Sequence, residues 1–222
     1  MVICRQVVAA GAVFVLTTTS ALGQSVTFDK GNLWFTDGAG RKAQLTRSGS
    51  VLEYDLSPDS KWVAFRRGVG RTDVGFTDEL TVEASEIWIV QTDGHNARRL
   101  IKSEPCSGPH NCDLFNLMAP QFSIDGRTLF FEAQCYATDD CIQSIDLRTG
   151  RRAMISGGGG LTVIKEGQYR GNLMIHQHRY FLCGGSYDWF YVVKPDGKEI
   201  GPLATWEDGE NGGAQRMLST CP

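Results

Sequence analysis

Two histidines one residue apart, His176-Gln177-His178, are the closest-spaced imidazoles in the chain. On a strand, side chains two residues apart point to one face, so both rings could meet one metal ion or exchange protons with one substrate. A third ligand is not near in sequence; His110 and Glu166 are the options by residue type. Without one, a hydrogen-bonded or solvent-facing histidine pair is the expected reading, and no metal or other cofactor is predicted.

Other catalytic patterns are incomplete. Gly184-Gly185-Ser186-Tyr187-Asp188 lacks the closing glycine of a G-x-S-x-G nucleophile elbow and falls between two strand-like runs, not on a strand-to-helix turn. Gly157–Gly160 is followed by no Lys-Ser/Thr pair, so it reads as a flexible connection between structural units rather than a phosphate loop. Asp139-Asp140 and Glu207-Asp208-Gly209-Glu210 are acidic runs without the alternating ligand spacing of a calcium loop, and solvated loop charges are expected. The formal net charge is −3, which gives no reason to expect nucleic acid or an anionic membrane as partner.

The residues up to Gly23 have the order of a secretory signal peptide: Arg5, an apolar run from Val7 to Leu16, a polar stretch, then Ala21 and Gly23. The apolar run is too short to span a bilayer, which takes about 20 residues. Residues 1–23 are therefore predicted to direct export, and residues 24–222 to form one domain, periplasmic or secreted, with no transmembrane segment. Cys4 leaves with the signal. Cys106, Cys112, Cys135, Cys141, Cys183 and Cys221 remain, an even set suited to disulfides in an oxidising compartment. Cys135 and Cys141 flank a strand-to-strand reversal, where opposed residues come within disulfide reach. Cys106 and Cys112 share that separation inside a Pro/Gly-containing loop, and Cys183 is then left for Cys221. Zinc is the competing use, but no C-x₂-C spacing occurs.

These residues have to be held by strands. Glu86–Leu100 reads EIWIVQTDGHNARRL, an apolar and β-branched run followed by an Asp-Gly turn and a second short run, as a β-hairpin requires. The pattern recurs at Asn32–Leu45, Cys141–Ile155 and Trp189–Leu203. Upstream of two copies lie further strand-turn-strand phrases, LSPDSKWVAF from Leu56 and FSIDGRTLFF from Phe122, whose Pro58, Asp59 and Gly126 set tight turns. The unit is thus four short strands, readable at Ser50–Ile101, Met118–Ile155 and Leu161–Leu203, with a partial unit at Val26–Leu45. Four-stranded units repeating every 40–50 residues or so are the signature of a β-propeller. The predicted fold is all-β, a propeller of four-stranded antiparallel blades, about four in number, in which the N-terminal strands could complete the last blade.

The phrases LSPDSKWVAF and EIWIVQTDGHNARRL, and more loosely FSIDGRTLFF, resemble the propeller repeats of the TolB family and of prolyl-oligopeptidase-type peptidases, which are similar to WD40-like repeats. The resemblance covers most of Asn32–Ile155. It implies a periplasmic propeller that works by binding proteins of the cell envelope. The six blades and the separate α/β domain of the TolB family have no room here, and the peptidase half of the oligopeptidases is missing.

Two loops are long enough to carry such binding. Gly68–Ser85 contains Arg71, Asp73, Phe76 and Leu80, types suited to an interface. Ser103–Leu117, with His110, would be stapled by Cys106–Cys112. Trp34, Trp62, Trp88, Trp189 and Phe190 fall on strand positions and are expected to pack between blades. The expectation is an exported, non-enzymatic protein-binding module. The alternatives are a small enzyme or metal protein using His176 and His178, and an inhibitor or immunity protein that caps an exported enzyme.

Overall fold

Period-two alternation and four Asp-containing turns lay this chain out as antiparallel hairpins. The computed structural model describes residues 23–73, 81–103, 114–136, 139–205 and Glu207. Fifteen strands run in chain order through four antiparallel sheets. The first sheet holds β1 (Ser25–Asp29), β2 (Asn32–Thr36) and β3 (Lys42–Gln44); the second, β4 (Val51–Leu56), β5 (Trp62–Asp73), β6 (Thr81–Gln91) and β7 (Arg98–Lys102). The third holds β8 (Phe115–Phe122), β9 (Thr128–Tyr136), β10 (Asp139–Asp146) and β11 (Arg152–Gly157); the fourth, β12 (Gly159–Val163), β13 (Leu173–Tyr180), β14 (Ser186–Val193) and β15 (Glu199–Thr205). These are propeller blades, and among the described residues no helix is long and apolar enough to cross a membrane.

The repeat is legible atom by atom. At the turn between the last two strands of each blade an Asp carboxylate accepts from the N–H two residues on. The pairs are Asp37 with Ala39 (2.9 Å), Asp93 with His95 (2.9 Å), Asp146 with Arg148 (3.0 Å) and Asp196 with Lys198 (3.0 Å). Such local bonds are why Asp prefers turns to strand interiors. Gly197, at φ +89°, also approaches the previous blade so closely that a Cβ there would lie 2.4 Å from Ile155 O. The inner turns repeat too: the Ser57 hydroxyl donates to Asp59 Oδ1 and accepts from Trp62 N, and Ser123 does the same with Asp125 and Thr128.

Apolar side chains fill the spaces between blades. Leu33, Phe35, Val63 and Phe65 lie between blades one and two; Ile87, Ile89, Leu129 and Phe131 between two and three; Phe130, Ile142, Leu173 and Ile175 between three and four. Trp62, Trp88 and Trp189 pack half-buried against these cores, as expected of strand aromatics.

The innermost strands of neighbouring blades are stitched by side chains. Asp55 of β4 accepts from Phe122 N of β8 (2.8 Å), and Gln121 of β8 accepts from Val163 N of β12 (2.9 Å). Asp55 and Gln121 hold the same place in the repeat, two residues before Ser57 and Ser123. Glu53 adds a bond from Ala119 N at 2.7 Å. Replacing Asp55 with Ala leaves Phe122 N, on a buried residue, without its acceptor. The expected loss is about 1–3 kcal/mol of unfolding free energy, measurable by urea titration, with Asp55→Asn recovering most of it.

Several sequence expectations need correction. The N-terminal strands do not complete the last blade: β12–β15 supply all four of its strands from one stretch of chain, and the first blade is the three-stranded one. The described sheets follow one another in chain order, and ring closure is not detected. Gly68–Ser85 is not one long loop, because Gly70, Arg71, Thr72 and Asp73 pair with Ala84, Glu83, Val82 and Thr81 and extend the hairpin. β-branched Thr72, Thr81 and Val82 suit that ladder. The Gly157–Gly160 run is not a flexible tether either, since it joins β11 directly to β12. A Cβ on Gly158 would lie 2.3 Å from His176 O, so close approach explains the glycine.

Candidate functional site

In blades two, three and four the hairpin between the second and third strand projects from the same rim. These hairpins are β5–β6, β9–β10 and β13–β14, at the same place in the strand order of each blade. Cys135 and Cys141 form a disulfide across the second of them, with Cα atoms 5.7 Å apart. The two are not directly opposed: Cys141 faces Ala133, and Cys135 is the extra residue of a bulge between the Gln134–Asp140 and Tyr136–Asp139 pairs.

The third hairpin carries the exposed apolar groups. Its strands end at the Tyr180–Ser186 pair, so Phe181 and Leu182 lie in the turn. Relative exposures are 76% for Tyr180, 56% for Phe181 and 106% for Leu182. The Phe181 ring meets Tyr187, at 4.6 Å between centroids, and holds the turn against its own strand. Cys183 is a free, exposed thiol at this tip, against the pairing with Cys221 reached by elimination. The hairpin carries Cys183 past the last strand pair into solvent, a placement that counting cysteines does not register; Cys221 lies outside the described residues.

Behind the tip is a cleft of about 1070 Å³ lined by Met118, Asp140, His176, His178, Asp188 and Phe190, among others. The two histidines share one face of β13, as period two requires, and both turn to Asp188 on the neighbouring strand. His178 Nδ1 is 2.8 Å, and His176 Nε2 3.4 Å, from the same Asp188 Oδ1. The His178 ring stands edge-on to Tyr180, 4.9 Å between centroids. The arrangement is a carboxylate flanked by two imidazoles beside aromatic rings. It offers hydrogen bonds and apolar area to a bound group. Among the described residues no three His, Cys, Asp or Glu side chains are grouped to hold a metal ion. Glu166, weighed as a third ligand, is exposed in the turn before β13, at the strand end away from His178.

Glu132, bonded to Gly160 of the cleft lining, is buried, 7% exposed. Its carboxylate accepts from Leu161 N (2.7 Å) and Gly160 N (3.2 Å). Burial pushes its pKa up; the Leu161 and Gly160 amides pull the other way, and the charges of Asp140 and Glu53 add to the rise. A Cβ on Gly159 would sit 3.2 Å from both Glu132 Oε2 and Asp140 Oδ2. Glycine there lets the start of β12 pass between two carboxylates.

The other predicted contact residues scatter. Arg71 lies exposed on the extended β5, away from the histidine cleft, and Asp73 ends that strand. Phe76, Leu80, His110, Cys106 and Cys112 lie outside the described residues. Asp188 and the exposed Tyr180–Leu182 run were missed by sequence reasoning. Asp188 had been read only as part of a failed nucleophile motif, and nothing local indicates that it faces a histidine ten positions away. The apolar tip did carry a signal, since it precedes Gly184-Gly185 in a turn where polar residues are usual.

No family profile and no curated protein matches the sequence. The fold is found among solved structures. Dipeptidyl peptidase 4 of Porphyromonas gingivalis superposes with a TM-score of 0.52 at 12% identity, over 82% of this chain and 31% of that one. An oligogalacturonate lyase in complex with manganese gives 0.50 at 16%, over 78% and 42%. TolB from Acinetobacter baumannii gives 0.46 at 16%, over 78% and 37%. The chain thus spans well under half the length of these proteins.

Proposed function

We propose that this chain is an exported propeller module that binds another protein of the cell envelope through the rim carrying Tyr180, Phe181 and Leu182. The observation that carries the reading is this apolar tip, held out into solvent beside the His176–Asp188–His178 cleft. Exposed apolar patches rimmed by polar groups mark protein contact sites, and aromatic residues are the usual anchors. Tyr180 and Phe181 would supply buried area, and the cleft the hydrogen bonds that fix orientation. Export is supported by the signal-like residues 1–23 and by the Cys135–Cys141 disulfide, which persists in an oxidising compartment.

Photo-crosslinking in the producing cell tests the reading. A benzophenone amino acid at Leu182 is expected to capture a discrete envelope protein, whereas the same group at Arg148, on the opposite rim, captures none. Affinity of the purified pair should fall about 100-fold in the Tyr180→Ser/Leu182→Ser variant, as loss of two anchor side chains implies, with thermal unfolding unchanged. Equal crosslinking from both rims, or full affinity in the variant, would reject it.

A further inference from the structure

On the rim opposite the Tyr180–Leu182 tip, a second cleft of about 970 Å³ lies between blades two and three. The turns that border it, from β4 to β5, β8 to β9 and β10 to β11, are described throughout. Its floor is apolar, made by Trp62, Ile89, Ile124 and Leu147. That floor is not a by-product of the repeat. Trp62 faces Gln91 and Ala64 faces Ile89 across the β5–β6 ladder, whereas in the β9–β10 ladder Thr128 faces Asp146 and Phe130 faces Ser144. Blade three thus carries Thr128 and Ser144 where blade two carries Trp62 and Ile89.

Arg98, Arg127 and Arg148 line the same cleft, beside an equal number of aspartates, Asp59, Asp125 and Asp146. The aspartates are occupied by their own turns. Asp125 accepts from the Ser123 hydroxyl (2.7 Å) and Arg127 N (3.1 Å), and Asp146 from Thr149 N (2.7 Å), the Thr149 hydroxyl (2.9 Å) and Arg148 N (3.0 Å). Asp59 accepts from the Ser57 hydroxyl (2.7 Å) and Lys61 N (3.1 Å), and the Lys61 ammonium lies 3.7 Å from its second oxygen. The guanidinium groups are far less engaged. Arg98 makes one long bond across to blade three, 3.4 Å from Nη2 to Leu147 O, which brings it beside Arg148. Arg127 and Arg148 feel Asp125 and Asp146 through space, but among the described residues their side chains form no ion pair and donate no hydrogen bond. The cleft therefore combines an apolar floor, carboxylates turned back on their turns, and guanidinium donors left over.

We propose that the cleft between blades two and three binds a small organic anion, a carboxylate or phosphate carried on an apolar ring. The oxyanion meets Arg98, Arg127 and Arg148, whose planar forks match two oxygens at once, and the ring covers Trp62, Ile124 and Leu147. An apolar pocket with a few convergent polar groups is the general form of a small-molecule site. The ligand is not a protein, and the site does not depend on the Tyr180–Leu182 tip.

The probes are phenyl phosphate and benzoate, with inorganic phosphate as the head group alone and benzyl alcohol as the uncharged ring. Each is titrated into the full chain and followed by NMR at the Trp62 indole N–H, identified by its absence in Trp62→Phe. Both ring anions are expected to shift this resonance saturably, with phenyl phosphate binding about ten-fold more tightly than inorganic phosphate, and benzyl alcohol giving no saturable shift. Arg127→Gln and Arg148→Gln, both at exposed turn positions, should each weaken binding about ten-fold. Tyr180→Ser/Leu182→Ser should leave it unchanged. The tighter of the two ring anions names the head group. Absence of saturable binding of both, benzyl alcohol binding as tightly as they do, or full affinity in both arginine variants overturns the inference. Inorganic phosphate binding as tightly as phenyl phosphate does so too, because the apolar floor then contributes nothing.

Discussion

Phe131→Ala is expected to lower the unfolding free energy by about 3–5 kcal/mol, the cost of deleting a fully buried aromatic ring and leaving a cavity. Phe131 is 0% exposed and packs with Ile87, Ile89 and Leu129 between the second and third blades. The neighbours are strands of two sheets whose spacing is set by other pairs along the interface, so collapse into the void is limited. Domains of this size hold only about 5–15 kcal/mol in all, and the variant should unfold at much lower urea. Met154→Ala is the control: Met154 is 52% exposed on β11, and its loss should stay within about 0.5 kcal/mol. Equal midpoints for the two variants would mean that the blades are not held together by this core.

The second large effect centres on Glu86, 7% exposed on β6. Its carboxylate accepts from Arg67 Nε (2.9 Å), Trp88 Nε1 (2.8 Å) and Arg99 Nη1 (2.7 Å), and the Arg67 guanidinium stacks 4.3 Å from the Trp88 ring centroid. Burial alone would raise the carboxyl pKa. The bonds from Trp88, Arg99 and Arg67 outweigh it, and the group is held below its ordinary value of 4.5. Glu86→Ala strands Arg67 and the indole N–H together, and a loss of about 3 kcal/mol is expected. That is the low end for breaking a buried pair, because Arg67 and Arg99 remain partly solvated.

The pH dependence follows from the sign of the shift. With its folded pKa depressed, Glu86 binds fewer protons in the native than in the unfolded state, so its contribution is complete above pH 4.5 and is lost as pH falls through the folded value. Glu132 acts in the opposite sense. With its folded pKa raised, its ionisation costs stability as pH climbs from the ordinary glutamate value toward the folded one. Urea midpoints of the wild type and Glu86→Gln should therefore converge as the pH is lowered from 6 toward 3. A gap that stays constant would contradict the network.

The sequence by itself determined what is local. Asp37, Asp93, Asp146 and Asp196 each build their turn with an N–H two residues away, and Ser57 and Ser123 build theirs within five; period two then turns the apolar side chains to one face. From these signals the all-β propeller, the four-stranded unit and the Cys135–Cys141 hairpin bridge were readable. Only the tertiary structure decided what depends on register between strands and contact between blades. Asp188 meets His178 because β13 and β14 align those two residues, and a one-residue slip would send it to the other face. Glu86 gathers cations from two flanking strands, Asp55 reaches an amide in the next blade, and Cys183 lies beyond the last strand pair with no partner among the described residues. The partial first unit was legible at Val26–Leu45, but that the fourth blade draws all its strands from one stretch of chain was decided in space: turn chemistry specifies hairpins, whereas the place of a strand at the inner edge of a blade depends on which other strand lies beside it.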